Sequence, residues 1–174
     1  MAILYLIRHA KPEGAGTLLG QADPPLAPGA LDSVAHSLSA LSVKVVYVSP
    51  LRRARETAAC LRRSSVIVVP ELREIGFGQW TGKTWSEVQR QWPDLACRKL
   101  KDWQQVTPPD GESWADFTGR VQRAWHRILA GPSPAAVLAH QGVNAVLANL
   151  AAGLPVLQFN QAYGEIREIT YVAD

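Results

Sequence analysis

Two short apolar runs in this chain end abruptly at histidine. Ile3-Leu4-Tyr5-Leu6-Ile7 stops at Arg8-His9, and Ala135-Ala136-Val137-Leu138-Ala139 stops at His140. Their length and branched side chains predict buried strands over 2–7 and 135–139. Lys44 to Val48 and Val66 to Val69 predict two more, the second closed by Pro70. Leu31, Val34, Ala35, Leu38 and Leu41 recur at helical spacing and predict a helix over 29–41. Ser49-Pro50 offers an N-cap and a first-turn proline for a helix to about Arg62. Residues 10–28, broken by Pro12, Gly14, Gly16, Gly20, Pro24, Pro25 and Pro28, read as loop.

The first seventy residues thus run strand, loop, helix, strand, helix, strand, which argues for a parallel sheet covered by helices. The pattern changes after Leu72, where residues 72–110 show irregular and helical pieces without strand signals. All six tryptophans fall between Trp80 and Trp125. They suit a small helical unit packed by its aromatics, or a lid that stacks on a ligand. Ser113 with Asp116 resembles a capping box for a helix to about Leu129. Residues 142–152 read as helix, and Ile166 to Val172 as a final edge strand. The expected fold is a three-layer α/β/α sandwich with a mostly parallel central sheet and one antiparallel edge strand. We expect one domain, 1–174, in which 72–113 forms a small helical, cap-like insertion over the strand ends.

Composition narrows the function. Of 174 residues, 19% are charged and 47% hydrophobic, the balance of a folded domain. The net charge is +3, and Arg52, Arg53, Arg55, Arg62 and Arg63 form the densest basic cluster. That cluster is too short for a nucleic-acid stripe and suits a small anion. Cys60 and Cys97 lack CxxC spacing and read as reduced thiols. No apolar run approaches the roughly 20 residues of a membrane span. Seven uncharged residues before Arg8 are too few for a secretory leader. The expectation is a cytoplasmic protein that engages neither nucleic acid nor membrane.

Strand ends at the carboxyl edge of an α/β sheet are where ligands bind. Arg8, His9 and His140 lie at such ends, and Arg53 lies in the first turn of a helix after another strand. Guanidinium forks suit a dianionic phosphate. Glu74, just past the third strand, offers a proton beside it. Asp23 and Asp110 form no cluster with metal-ligand spacing, and His36 and His126 sit in helical stretches as surface or packing residues.

In order along the chain these pieces resemble the histidine phosphatase superfamily, also called phosphoglycerate-mutase-like. The resemblance rests on Leu6-Ile7-Arg8-His9-Ala10, on Gly20, Asp23, Pro25, Leu26 and Gly29, and on Ser49-Pro50-Leu51-Arg52-Arg53-Ala54-Arg55-Glu56-Thr57-Ala58. It continues through Leu72-Arg73-Glu74, Gly78-Gln79-Trp80-Thr81-Gly82, Gly111-Glu112-Ser113 and His140-Gln141-Gly142-Val143. Ala10 replaces the family's glycine, and Thr81 its usual glutamate, which leaves Glu74 as the aligned acid. His140-Gln141-Gly142-Val143-Asn144 and Gln161-Ala162-Tyr163-Gly164 resemble the alpha-ribazole phosphatase branch of cobalamin assembly, although Arg167 stands where that branch often has asparagine.

The resemblance implies a metal-independent phosphomonoesterase without cofactor, monomer or homodimer, acting on a small phosphorylated metabolite through a phosphohistidine. His9 would be the nucleophile and Glu74 the proton donor. Arg8, Arg53, His140 and Gln141 would hold the phosphoryl group. Gln21, Glu112 and Tyr163 would meet the rest of the substrate; Glu112, read from its position, serves equally to orient a loop. Alternatives within the resemblance are a phosphoglycerate mutase-type enzyme, a broad sugar-phosphate phosphatase and an inactive phospho-ligand binding module.

Overall fold

A computed structural model of the chain describes residues 1–61 and 64–172. Five strands form one sheet: β1 (Ala2–Arg8), β2 (Val45–Val48), β3 (Ser65–Val68), β4 (Ala135–Ala139) and β5 (Ile166–Tyr171). Their order is β3-β2-β4-β1-β5. The β1–β4, β2–β4 and β2–β3 pairs are parallel, and β5 pairs antiparallel with β1 at one edge. The α/β fold expected from the sequence is therefore present.

Alternation along the strands divides the core. Leu4 and Leu6 join Val45, Tyr47, Ala135 and Val137 beneath helices α5 (Trp114–Leu129) and α6 (Gln141–Ala152). Ile7, Val46, Val48, Ala136 and Leu138 pack on the other face against α1 (Ala30–Ser39) and α2 (Arg52–Ala58). β4, buried at every position, lies between β1 and β2 and is apolar on both faces, as a central parallel strand must be. Beyond β3 the chain forms two 3-10 turns and two short helices, α3 (Trp85–Gln91) and α4 (Pro93–Lys101).

Two expectations about α2 need correction. It starts at Arg52 with Leu51 as its cap residue, and no side chain caps it. Ser49 is drawn elsewhere, to His140. The helix also ends at Ala58, short of the expected Arg62, because the chain turns at Ala59 and Cys60. The Arg62 and Arg63 members of the basic cluster lie outside the described residues. Ser113, by contrast, caps α5 as expected, accepting the Asp116 N–H at 3.1 Å.

Candidate active site

The strand order creates the site. From β1 the chain crosses to β2 on one side, whereas from β4 it crosses to β5 on the other, so a crevice opens at the adjoining ends of β1 and β4. The residues immediately past those ends are His9 and His140. The His9 N–H donates to the Ala139 carbonyl at 3.1 Å, and the two rings meet edge-on with centroids 5.0 Å apart. Both histidines are buried.

His9 Nδ1 lies 2.7 Å from the carbonyl oxygen of Ala10. A carbonyl only accepts, so Nδ1 carries the proton and Nε2 presents a lone pair. Arg53 Nε donates to that Nε2 at 3.2 Å. Burial lowers the His9 pKa to about 3; the Ala10 carbonyl opposes this, and the charges of Arg53 and Arg8 reinforce it. His9 is neutral and nucleophilic at neutral pH.

His140 Nε2 stands 2.7 Å from Ser49 Oγ, and that hydroxyl accepts the Leu51 N–H at 3.3 Å. The hydroxyl can still donate to Nε2, and the tautomer it then favours carries the His140 proton on Nδ1. Burial, then the nearby His9 and the arginines, hold the His140 pKa well below its usual value. His140 Nδ1 and Arg8 Nε are both buried without a partner among the described residues. Buried polar atoms left unpaired are costly, and an oxyanion beside His9 would satisfy both.

The two guanidinium groups are held by backbone. Arg53 is buried and donates from Nη1 to Ala22 O at 2.6 Å and from Nη2 to Gly20 O at 2.7 Å. Gly20 has φ +50°, and a Cβ there would meet the Ile75 carbonyl oxygen at 2.8 Å. Arg8 donates from Nη1 to Gln161 O at 2.6 Å and stacks 3.9 Å from the Tyr163 ring centre.

Glu74 reaches the same crevice from the segment after β3. Its two oxygens accept the Ile75 and Gly142 N–H groups at 3.0 and 3.1 Å. Burial raises its pKa against those two hydrogen bonds and the Arg53 charge. A Cβ at position 142 would fall 2.6 Å from Glu74 Oε1, so glycine makes room for the acid. Arg120, from α5, fixes the segment: it donates to the carbonyls of Glu71, Arg73 and Glu74 and clasps both Glu112 oxygens at 2.7 and 2.8 Å.

Arg8, His9, Arg53, Glu74, Gln141 and Tyr163 line a single cavity of about 380 Å3. The Gln141 side chain is committed to the backbone of Phe159 and Gln161, so what it offers an anion is its main chain. Gln21 and Glu112 lie outside that lining. Of the two roles open for Glu112, the geometry favours loop orientation: its carboxylate serves Arg120 and the Gly76 N–H. Exposed Gln21 contacts Glu112 at 3.4 Å. Among the described residues no three His, Cys, Asp or Glu side chains could share a metal ion, and no helix is long and apolar enough to cross a membrane.

Sequence reasoning overlooked Ser49 as a partner of His140, Gln161 as an anchor of Arg8, and Arg120. Arg120 had left a trace. It sits on the stripe formed by Phe117, Val121, Ala124 and Ile128, where a charge needs buried partners.

A site of this kind on this fold is that of the histidine phosphatases. The chain belongs to the histidine phosphatase superfamily (branch 1), whose family model matches residues 4–173. It is 29% identical over 162 residues to the adenosylcobalamin/alpha-ribazole phosphatase of Escherichia coli, covering 87% of this chain and 80% of that protein. A bifunctional protein of Mycobacterium tuberculosis is 40% identical over 99 residues, 55% of this chain but only 27% of that relative's length. The alpha-ribazole phosphatase structure from Shigella flexneri superposes with a TM-score of 0.84 at 27% identity, covering 95% of this chain and 89% of that one.

Proposed function

We propose that this chain is a phosphomonoesterase that works through a phosphohistidine at His9 Nε2. One observation carries the reading: the His9 ring is locked by Ala10 so that its lone pair points among Arg53, Arg8 and His140. In the first step Nε2 attacks phosphorus in line and the ester P–O bond breaks. Protonated Glu74 gives its proton to the departing oxygen. The imidazole becomes cationic, and the Ala10 carbonyl stabilises its Nδ1–H. In the second step the Glu74 carboxylate takes a proton from water, the water oxygen attacks phosphorus, and the N–P bond breaks. Arg8, Arg53 and the His140 Nδ1–H steady the phosphoryl oxygens throughout, which is most of what phosphoryl transfer asks of a protein. The mechanism routes no step through a metal or cofactor.

The same reading treats 1–174 as one domain with 72–113 as its cap, acting in the cytoplasm on a small phosphorylated metabolite. Alpha-ribazole phosphate, an intermediate of cobalamin assembly, is the candidate we favour, on the strength of the similar proteins named above. The test is a release assay for inorganic phosphate over a panel of phosphomonoesters that includes it. Transfer of phosphate to a second substrate hydroxyl instead of water would indicate a mutase. Tight binding of the panel without turnover would indicate a binding module.

A further inference from the structure

Thr57 lies one turn along α2 from Arg53, on the buried face that also carries Ala54 and Ala58. It is fully buried. Valine has the same shape and would suit an apolar surrounding better, so the hydroxyl needs a reason. Its two bonds supply one. Oγ1 donates to the Arg53 carbonyl at 2.7 Å and accepts the Ala10 N–H at 3.0 Å. Both directions follow from the partners, because a carbonyl only accepts and an amide N–H only donates. The first bond is ordinary for a threonine inside a helix. The second reaches out of α2 to the residue that follows His9.

Ala10 is itself fully buried, and both of its backbone polar groups are engaged. Its N–H meets Thr57, and its carbonyl meets His9 Nδ1 at 2.7 Å. That carbonyl sets the His9 tautomer. It also faces the charge the ring gains as the Nε2–P bond forms and the ester P–O bond breaks. Without the hydroxyl, the Ala10 N–H would be buried and unpaired, a costly state. Turning the residue to relieve it would swing the carbonyl away from His9. Arg53 is less exposed to that loss, since its guanidinium keeps its own bonds to the Gly20 and Ala22 carbonyls. Thr57 lies outside the lining of the catalytic cavity, so it acts through Ala10 and not on the substrate.

We propose that Thr57 is a positioning residue for phosphoryl transfer: its hydroxyl spans from the α2 backbone at Arg53 to Ala10 and so holds the Ala10 carbonyl against His9 Nδ1. This inference rests on the phosphomonoesterase reading and deepens it. The end of β1 and the first turn of α2 carry the nucleophile and one of its phosphate clamps, and this side chain ties their backbones together.

Two pairs of enzymes isolate the hydroxyl. Wild type and Thr57→Val share a shape and differ by it; Thr57→Ser and Thr57→Ala also differ by it. The measurements are kcat and KM on 4-nitrophenyl phosphate, and 15N NMR of histidine-labelled enzyme at neutral pH. The His9 signals are those that vanish in His9→Asn. Within each pair, loss of the hydroxyl should lower kcat by at least about tenfold and change KM by less than about threefold. His9 should carry its proton on Nδ1 alone in wild type and Thr57→Ser, and show mixed tautomers in Thr57→Val and Thr57→Ala. Thr57→Ser should keep kcat within about threefold of wild type, even where its melting temperature falls. If Thr57→Val does not fold, the serine and alanine variants decide. Equal kcat within the pairs, a loss that follows side-chain volume, or an unchanged His9 tautomer beside a lowered kcat overturns the role of Thr57 and leaves the phosphomonoesterase reading standing. A wild type that releases phosphate from no monoester overturns both.

Discussion

Arg53 Nε and His9 Nε2 are 3.2 Å apart, and the contact joins a permanent cation to a neutral lone pair. It can exist only while His9 is unprotonated. Burial and the arginine charges keep it so, holding its pKa to about 3. On the proposed mechanism, the resting site therefore has its nucleophile ready, with a phosphate-binding group already touching it.

Replacing that nucleophile gives the most direct check. His9→Asn should lower kcat by more than about 1,000-fold, the scale of losing a covalent catalyst. Wild type quenched in acid-free, alkaline conditions during turnover should carry labelled phosphate on the peptide that contains His9. Label on another peptide, or none, contradicts the mechanism.

Glu74→Gln should cost about 100- to 10,000-fold on alkyl phosphates, which need a proton on the leaving oxygen. Aryl phosphates, whose leaving group departs unaided, should lose far less in the first step. Because burial raises the Glu74 pKa, the acid form persists above the usual carboxylate range. The wild-type kcat/KM should fall as pH rises through that raised value, and the glutamine variant should lose this limb. A pH–rate profile on an alkyl phosphate measures both.

Ser49→Ala removes the hydroxyl that faces His140 Nε2 at 2.7 Å. Both His140 tautomers then become accessible, and only one donates from Nδ1. Vanadate or phosphate affinity should weaken by about tenfold, with about 1–2 kcal/mol of stability lost for the buried hydrogen bond. Inhibition constants and thermal melts separate the two effects.

Arg120→Met should be the most disruptive substitution outside the catalytic groups. It strips bonds from three carbonyls and leaves the partly buried Glu112 carboxylate without its cation. We expect a cost of about 3–5 kcal/mol. Arg120→Lys should not restore it, because an ammonium cannot span both carboxylate oxygens and those carbonyls. Calorimetry gives the stability change, and the kcat of the surviving fraction shows whether Glu74 has moved.

Acid should destabilise the fold before it protonates the nucleophile. In the unfolded chain both His9 and His140 bind protons near pH 6.5, whereas folded His9 does so near 3 and folded His140 also well below 6.5. Between those values the unfolded state holds more protons, so stability falls as pH drops through the window. Glu74 acts in the opposite sense, since its raised pKa favours the folded state at low pH. Melting temperatures from pH 7 down to pH 4 should decline, and more steeply in Glu74→Gln.

Much of this was legible in the chain because the signals are local. The apolar runs that become β1 and β4 are bounded by charge or histidine, so their ends and the residues placed there could be read directly. The edge strand β5 was legible from its weak alternation. What escaped was long-range. Ser49 precedes a helix, as a capping residue would, but packing delivers it to His140, ninety-one residues away. Gln161 gives no periodic signal, yet it is buried and ties Leu6, Asn144 and Arg8 together. A further cavity, of about 500 Å3, is lined from α5, α6 and the segment around Leu157, which no sequence pattern joins.

Gly142 donates its N–H to the carboxylate of Glu74 and stands two residues beyond His140. On the proposed mechanism, proton delivery and anion capture are thus mounted on one stem, the opening turn of α6. Evolution cannot retune the acidity of one without tilting the other. Diversification toward new substrates would then be expected at the outer rim, around Trp103 and Leu157, rather than at the chemical centre.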